Sequence, residues 1–71
     1  MSRIGVRIRK LREEQGISQQ ALADAIGVQQ STISEIERGS NQPSWKTLHK
    51  LAQFFDMQPG QLIDEPVPSL H

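Results

Sequence analysis

Gln29, Gln30, Ser31, Thr32, Ser34 and Glu35 follow one another with Ile33 as the only apolar residue among them. A solvated helix face normally carries long charged side chains; this stretch carries amides and hydroxyls. Such groups both donate and accept hydrogen bonds, a combination suited to the edges of nucleic-acid bases. Gln30 stands at the start of the run, and a glutamine amide can bond N6 and N7 of adenine together. Ser31 and Ser34 could reach bases or phosphates, and Gln29 a base at the edge of the contact. Glu35 could accept from cytosine N4, although a carboxylate beside DNA is costly unless satisfied. Thr32 is expected to pack or bond locally.

Catalytic chemistry is poorly served. The 71 residues include no cysteine, and the two histidines, His49 and His71, lie far apart. No glycine-rich phosphate loop, nucleophile motif or His/Asp/Glu metal cluster appears. The expectation is a binding protein rather than an enzyme, with no catalytic residue, metal or cofactor, and with His49 on the polar face of a helix.

The polar run must be held by a helix, and the pattern supplies one. Ser18 is a good N-cap, and Leu22, Ala23 and Ile26 give the helix after it one apolar face. Gly27 can end that helix because a sharp reversal needs φ > 0. Val28 reads as a buried turn anchor. A second helix follows over about 29–38, with Ile33 and Ile36 inward. Two short helices joined by a tight glycine turn, the second with a hydrogen-bonding outer face, make a helix-turn-helix.

Three further helices frame this pair. Ile4, Ile8 and Leu11 form a buried stripe on a first helix from about Ile4 to Gln15, with Gly16 as its stop and Val6 off the stripe. Ser44 caps a fourth helix on which Trp45, Leu48, Leu51, Ala52 and Phe55 recur at helical spacing, which places Trp45 and Phe55 in the core. Phe54 falls beside that stripe. Pro59 starts a fifth helix, whose Leu62 and Ile63 close the core. The sequence Glu65-Pro66-Val67-Pro68 cannot hold a helix. The expected architecture is all-α and compact, one five-helix domain over residues 1–64 with a tail or linker over 65–71.

Arg12, Gly16, Ser18-Gln19, Leu22-Ala23, Ile26-Gly27, Ile33-Ser34, Ile36-Glu37-Arg38-Gly39 and Pro43 together resemble the lambda-repressor-like family of phage repressors, Cro proteins and their bacterial relatives, from about Ile4 to Ile63. The resemblance implies a DNA-binding transcriptional regulator whose third helix enters the major groove. It implies that Gln19 touches a phosphate and bonds Gln30. It implies that Arg38, Ser40 and Asn41 grip the phosphate backbone beyond the recognition helix, and that Arg12 and Glu37 form a partly buried ion pair. Lys46 could add a further phosphate contact.

Net charge is zero, which taken alone argues against a polyanionic partner. Its distribution argues otherwise. Residues 1–12 carry Arg3, Arg7, Arg9, Lys10 and Arg12 and no acid, while residues 13–39 carry one base against five acids. Such asymmetry can still make a basic face. No apolar run approaches a membrane span and no secretory segment opens the chain, which points to the cytoplasm. A single module reads few base pairs, so two copies on a palindromic double-stranded operator are expected, as a weak homodimer formed mainly on DNA. The end of the fourth helix and the fifth helix offer the least charged surface for that contact, with Phe54, Met57, Pro59, Leu62 and Ile63 available. The alternative is a protein-interaction module of the same fold, favoured by the neutral charge and Glu35.

Overall fold

Two serines start two of the helices by the same bond. Ser18 Oγ accepts the Ala21 N–H at 3.0 Å and Ser44 Oγ accepts the Thr47 N–H at 3.1 Å, each satisfying a first-turn donor that no helical carbonyl can reach. The computed structural model describes residues 3–63. Its five helices are α1 (Arg3–Glu14), α2 (Gln19–Ile26), α3 (Gln30–Arg38), α4 (Trp45–Phe54) and α5 (Pro59–Ile63), with no strand among the described residues. The expected 64/65 boundary, the tail 65–71 and the side chain of Ile63 lie outside the described residues.

The apolar stripes converge. Ile4 and Ile8 of α1, Leu22, Ala23 and Ile26 of α2, Ile33 and Ile36 of α3, Leu48, Leu51 and Ala52 of α4, then Phe55 and Leu62 form one buried cluster. Leu11, Ile17, Val28, Phe54 and Met57 pack half-buried at its edge. Helix α1 lies against α3 and α5, α2 against α3 and α4, and α4 against α5. Gly5 marks a close crossing of α1 and α3: a Cβ there would stand 2.3 Å from the Ile36 carbonyl oxygen and 2.9 Å from that of Glu37. Its lack of a side chain lets α1 approach the backbone of α3.

The closing helix is held through Gln61, at its middle. Gln61 Oε1 reaches back to accept the Gln58 N–H at 2.8 Å, the reverse arm of a capping box. Arg7 Nη1 donates to the Gln61 carbonyl at 2.7 Å, so one base of the first segment serves the fold.

One expectation fails here. Trp45 is 65% exposed, its ring edge-on to His49 at 5.6 Å, and is no part of the core. At 100° per residue it sits roughly 70° from the centre of the arc defined by Leu48, Leu51, Ala52 and Phe55, and it occupies the first turn of α4. Leu62, by contrast, is 1% exposed and closes the core as expected, which withdraws it from the apolar surface around α5.

Candidate nucleic-acid interface

Helices α2 and α3 are joined by Gly27, Val28 and Gln29. Gly27 takes φ 76°, a left-handed conformation that residues with a side chain rarely adopt, and its N–H bonds back to α2. The Val28 N–H reaches the Ala23 carbonyl at 3.0 Å, closing the reversal, while the Val28 side chain packs against the core. Gln29 is the N-cap of α3 and makes no side-chain cap bond. Ile33 and Ile36, both essentially inaccessible, fix the rotation of α3 about its axis, so that its polar residues face away from the core.

A chain of side-chain hydrogen bonds runs from α1 to the start of α3. Arg12 Nε and Nη2 donate to the two carboxylate oxygens of Glu37 at 2.7 and 3.1 Å, and Arg12 Nη1 donates to the Ile17 carbonyl at 2.9 Å. The Glu37 side chain is 4% exposed and that of Arg12 13%. The hydrogen bond to Glu37 raises the Arg12 pKa, against the opposing effect of burial, so the guanidinium stays charged. Glu37 Oε1 also accepts from Gln19 Nε2 at 3.0 Å. Gln19 Oε1 in turn accepts from Gln30 Nε2 at 2.6 Å. The second Nε2–H and the Oε1 of Gln30 have no partner among the described residues.

The rest of the polar face divides. Gln29 and Ser31 are exposed, and Thr32, Ser34 and Glu35 half-buried. Arg38 Nη1 donates to Ser34 Oγ at 2.8 Å one turn back. Glu35 accepts from Asn41 Nδ2 at 3.3 Å, and its carbonyl accepts from Ser40 Oγ at 3.3 Å, which joins the loop after α3 to the helix. Gly39 at φ 80° ends the helix. Lys46 is exposed in the first turn of α4.

Arg9, Arg12, Gln19, Glu37 and Arg38 line an open basin of about 550 Å³ beside the start of α2. The structure therefore brings Gln19, Arg38 and the ion pair together; Ser40 and Asn41 stand at the far end of α3, with Lys46 beyond them. Arg9 is paired with Glu13 on the surface at 3.2 Å. Among the described residues no cluster could hold a metal, and no helix is long and apolar enough to cross a membrane.

A helix-turn-helix family model matches residues 8–62. The chain belongs to the lambda-repressor-like helix-turn-helix family. The cryptic phage CTXphi transcriptional repressor RstR of Vibrio cholerae is 34% identical over 59 residues, which cover 83% of this chain and 53% of RstR. The regulator SinR of Bacillus subtilis is 40% identical over 63 residues, covering 87% of this chain and 57% of SinR. The P22 c2 repressor, solved in complex with a synthetic operator, superposes with a TM-score of 0.84 at 31% identity, over 90% of this chain and 97% of that one. The chain spans between 34% and 71% of the length of the curated relatives it matches, and 53% and 57% of RstR and SinR. The family is one of transcriptional regulators and not of enzymes.

In this helix-turn-helix protein two features escape a reading of the sequence. One is the bond from Gln19 to Glu37, which makes a single chain of the ion pair and the glutamine pair across 25 residues. Nothing local signals it, because its four members lie on three helices. The other is Gly5, whose neighbours Ile36 and Glu37 are remote in sequence.

Proposed function

We propose that this domain is a sequence-specific, double-stranded DNA-binding transcriptional regulator of repressor type, acting in the cytoplasm with α3 in the major groove. The observation that carries the reading is the presentation of Gln30. Its amide is anchored at one N–H, and one donor and one acceptor remain for a base edge. Gln29, Ser31, Ser34 and Glu35 complete the base-facing set. Gln19, Arg38, Ser40, Asn41 and Lys46 meet phosphates, contacts that set register without reading sequence. RstR is a repressor and P22 c2 was solved on an operator, which supports the same role here.

Gln30→Ala tests this directly. It is expected to weaken operator binding by about 1–3 kcal/mol and to relax preference at one or two positions per half-site. A loss spread evenly over all sequences would make Gln30 a backbone contact. Binding to mixed-sequence duplex should fall steeply with salt on a log–log plot. A flat response would favour the protein-interaction reading, which the neutral net charge and Glu35 support.

The same proposal includes two copies on a palindromic operator, with half-sites about one helical turn, roughly 34 Å, apart. The joining surface is isologous and is formed by Phe54, Met57 and Pro59. All three are half-buried, so the exposed apolar area is small and the dimer forms mainly on DNA. A mobility-shift titration on a symmetric site should show little singly bound species, and Phe54→Lys should restore that species. Independent filling of the half-sites by the wild type would rule the dimer out. Loss of cooperativity in Trp45→Lys but not in Phe54→Lys would move the contact to the start of α4.

A further inference from the structure

We propose that Glu37 is a positioning residue that makes Gln30 select adenine over guanine, by fixing which way round its amide points. The inference rests on the reading of Gln30 as a base contact. A carboxylate only accepts hydrogen bonds. With Arg12 on both oxygens of Glu37, Gln19 must turn its NH2 group toward Oε1, and does so at 3.0 Å. Its carbonyl oxygen is then the atom facing Gln30, which must answer with an N–H, at 2.6 Å.

Gln30 is left with one N–H and its Oε1. That donor–acceptor pair complements N7 and N6–H₂ of adenine. Turned over, Gln30 would present two N–H groups, which complement N7 and O6 of guanine. Turning it over would require Gln19 to turn as well, placing an amide oxygen against the Glu37 carboxylate. Glu37 is too deeply buried for water to relieve that contact. The charge is thus relayed through two neutral amides to the groove, and an ion pair between α1 and α3 sets the hydrogen-bonding polarity of the reading residue.

The experiment compares wild type, Glu37→Gln, Gln19→Met and the surface control Glu14→Gln in two measurements. The first is the side-chain amide order of Gln30 in the free protein, by ¹H–¹⁵N relaxation. Gln30 should be ordered in the wild type and in Glu14→Gln, and mobile in the other two. The second is the adenine-to-guanine preference at the base that Gln30 reads, from binding to duplexes differing there alone. A charge-assisted hydrogen bond biases an orientation by about tenfold or more, so the preference should fall by about tenfold in Glu37→Gln and toward parity in both relay variants. Gln19→Met leaves the ion pair in place, so it carries the test even where Glu37→Gln folds poorly. Uniform loss of a phosphate contact at Gln19 cancels in the ratio.

An equally ordered Gln30 amide in Gln19→Met would overturn the relay. A mobile amide with an unchanged preference would overturn its role in selection while leaving the DNA-binding reading intact. A wild type without base preference at any position would overturn both.

Discussion

Glu37→Gln is expected to cost about 3 kcal/mol of stability, a fall of roughly 12–24 °C in melting temperature for a domain of this size. Glu14→Gln should stay within about 0.5 kcal/mol of wild type. Both substitutions remove one negative charge, but the surroundings differ. Glu14 is exposed at the end of α1. Glu37 takes two donors from Arg12 and one from Gln19, with a side chain that is 4% exposed. Neutralising it leaves the Arg12 guanidinium, itself largely buried, without a counter-charge. Removing one member of a buried pair costs far more than the pair contributes relative to an apolar replacement, because the remaining charge has lost both water and partner. Thermal unfolding followed by circular dichroism decides the matter. Equal shifts for the two variants would mean that the pair is solvated and that the contact between α1 and α3 rests on apolar packing alone.

Gly5→Ala is expected to destabilise by about 3 kcal/mol, against the usual direction for glycine in a helix. Alanine is favoured over glycine in a helix interior by roughly 1 kcal/mol. Gly60, in α5, has nothing within 4 Å of an added Cβ, and Gly60→Ala should be neutral or slightly stabilising. At Gly5 the added carbon would meet the Ile36 and Glu37 carbonyls at 2.3 and 2.9 Å. Both atoms are backbone of α3, so no side-chain rotation relieves the clash and the two helices must separate. Separation would also lengthen the span that Arg12 bridges to Glu37, coupling the two predictions. A Gly5→Ala protein that melts at or above the wild-type temperature would show that α1 can shift without cost.

These two variants also mark where a linear reading reaches its limit. Leu22, Ala23, Ile26, Ile33 and Ile36 are legible because helical periodicity concerns neighbours on one element, and all five are buried. Gly27 and the Ser18 cap are legible for the same reason, each being decided within one turn. Trp45 is not: its spacing from Leu48 fits the stripe, but position at the rim of the arc and in the first helical turn leaves it 65% exposed. Spacing defines a face and does not say how far the covering helices extend along it. Gly5 and the link from Gln19 to Glu37 depend on which helix crosses which, information that resides in the packing. The two glutamines and the ion pair can each be named from the family resemblance. Their union through one carboxylate oxygen is visible only in three dimensions.

The basic first segment gives a similar lesson for the site. Its formal charge suggests a phosphate-binding face, yet Arg12 is held by Glu37, Arg7 by the Gln61 carbonyl and Arg9 by Glu13. Much of that charge therefore serves the fold or a surface pair. The proposed phosphate contacts come instead from the start of α2, the end of α3, the loop beyond and the first turn of α4, and are made by amides, hydroxyls, Arg38 and Lys46.

Selection of bound sequences from a random duplex pool by the wild-type protein tests the central claim most directly. The predicted result is enrichment of a two-fold symmetric site, its half-sites centred about one helical turn apart, with adenine strongly preferred at one position in each half. Recovery of a pool without any enriched motif would contradict sequence-specific recognition by α3.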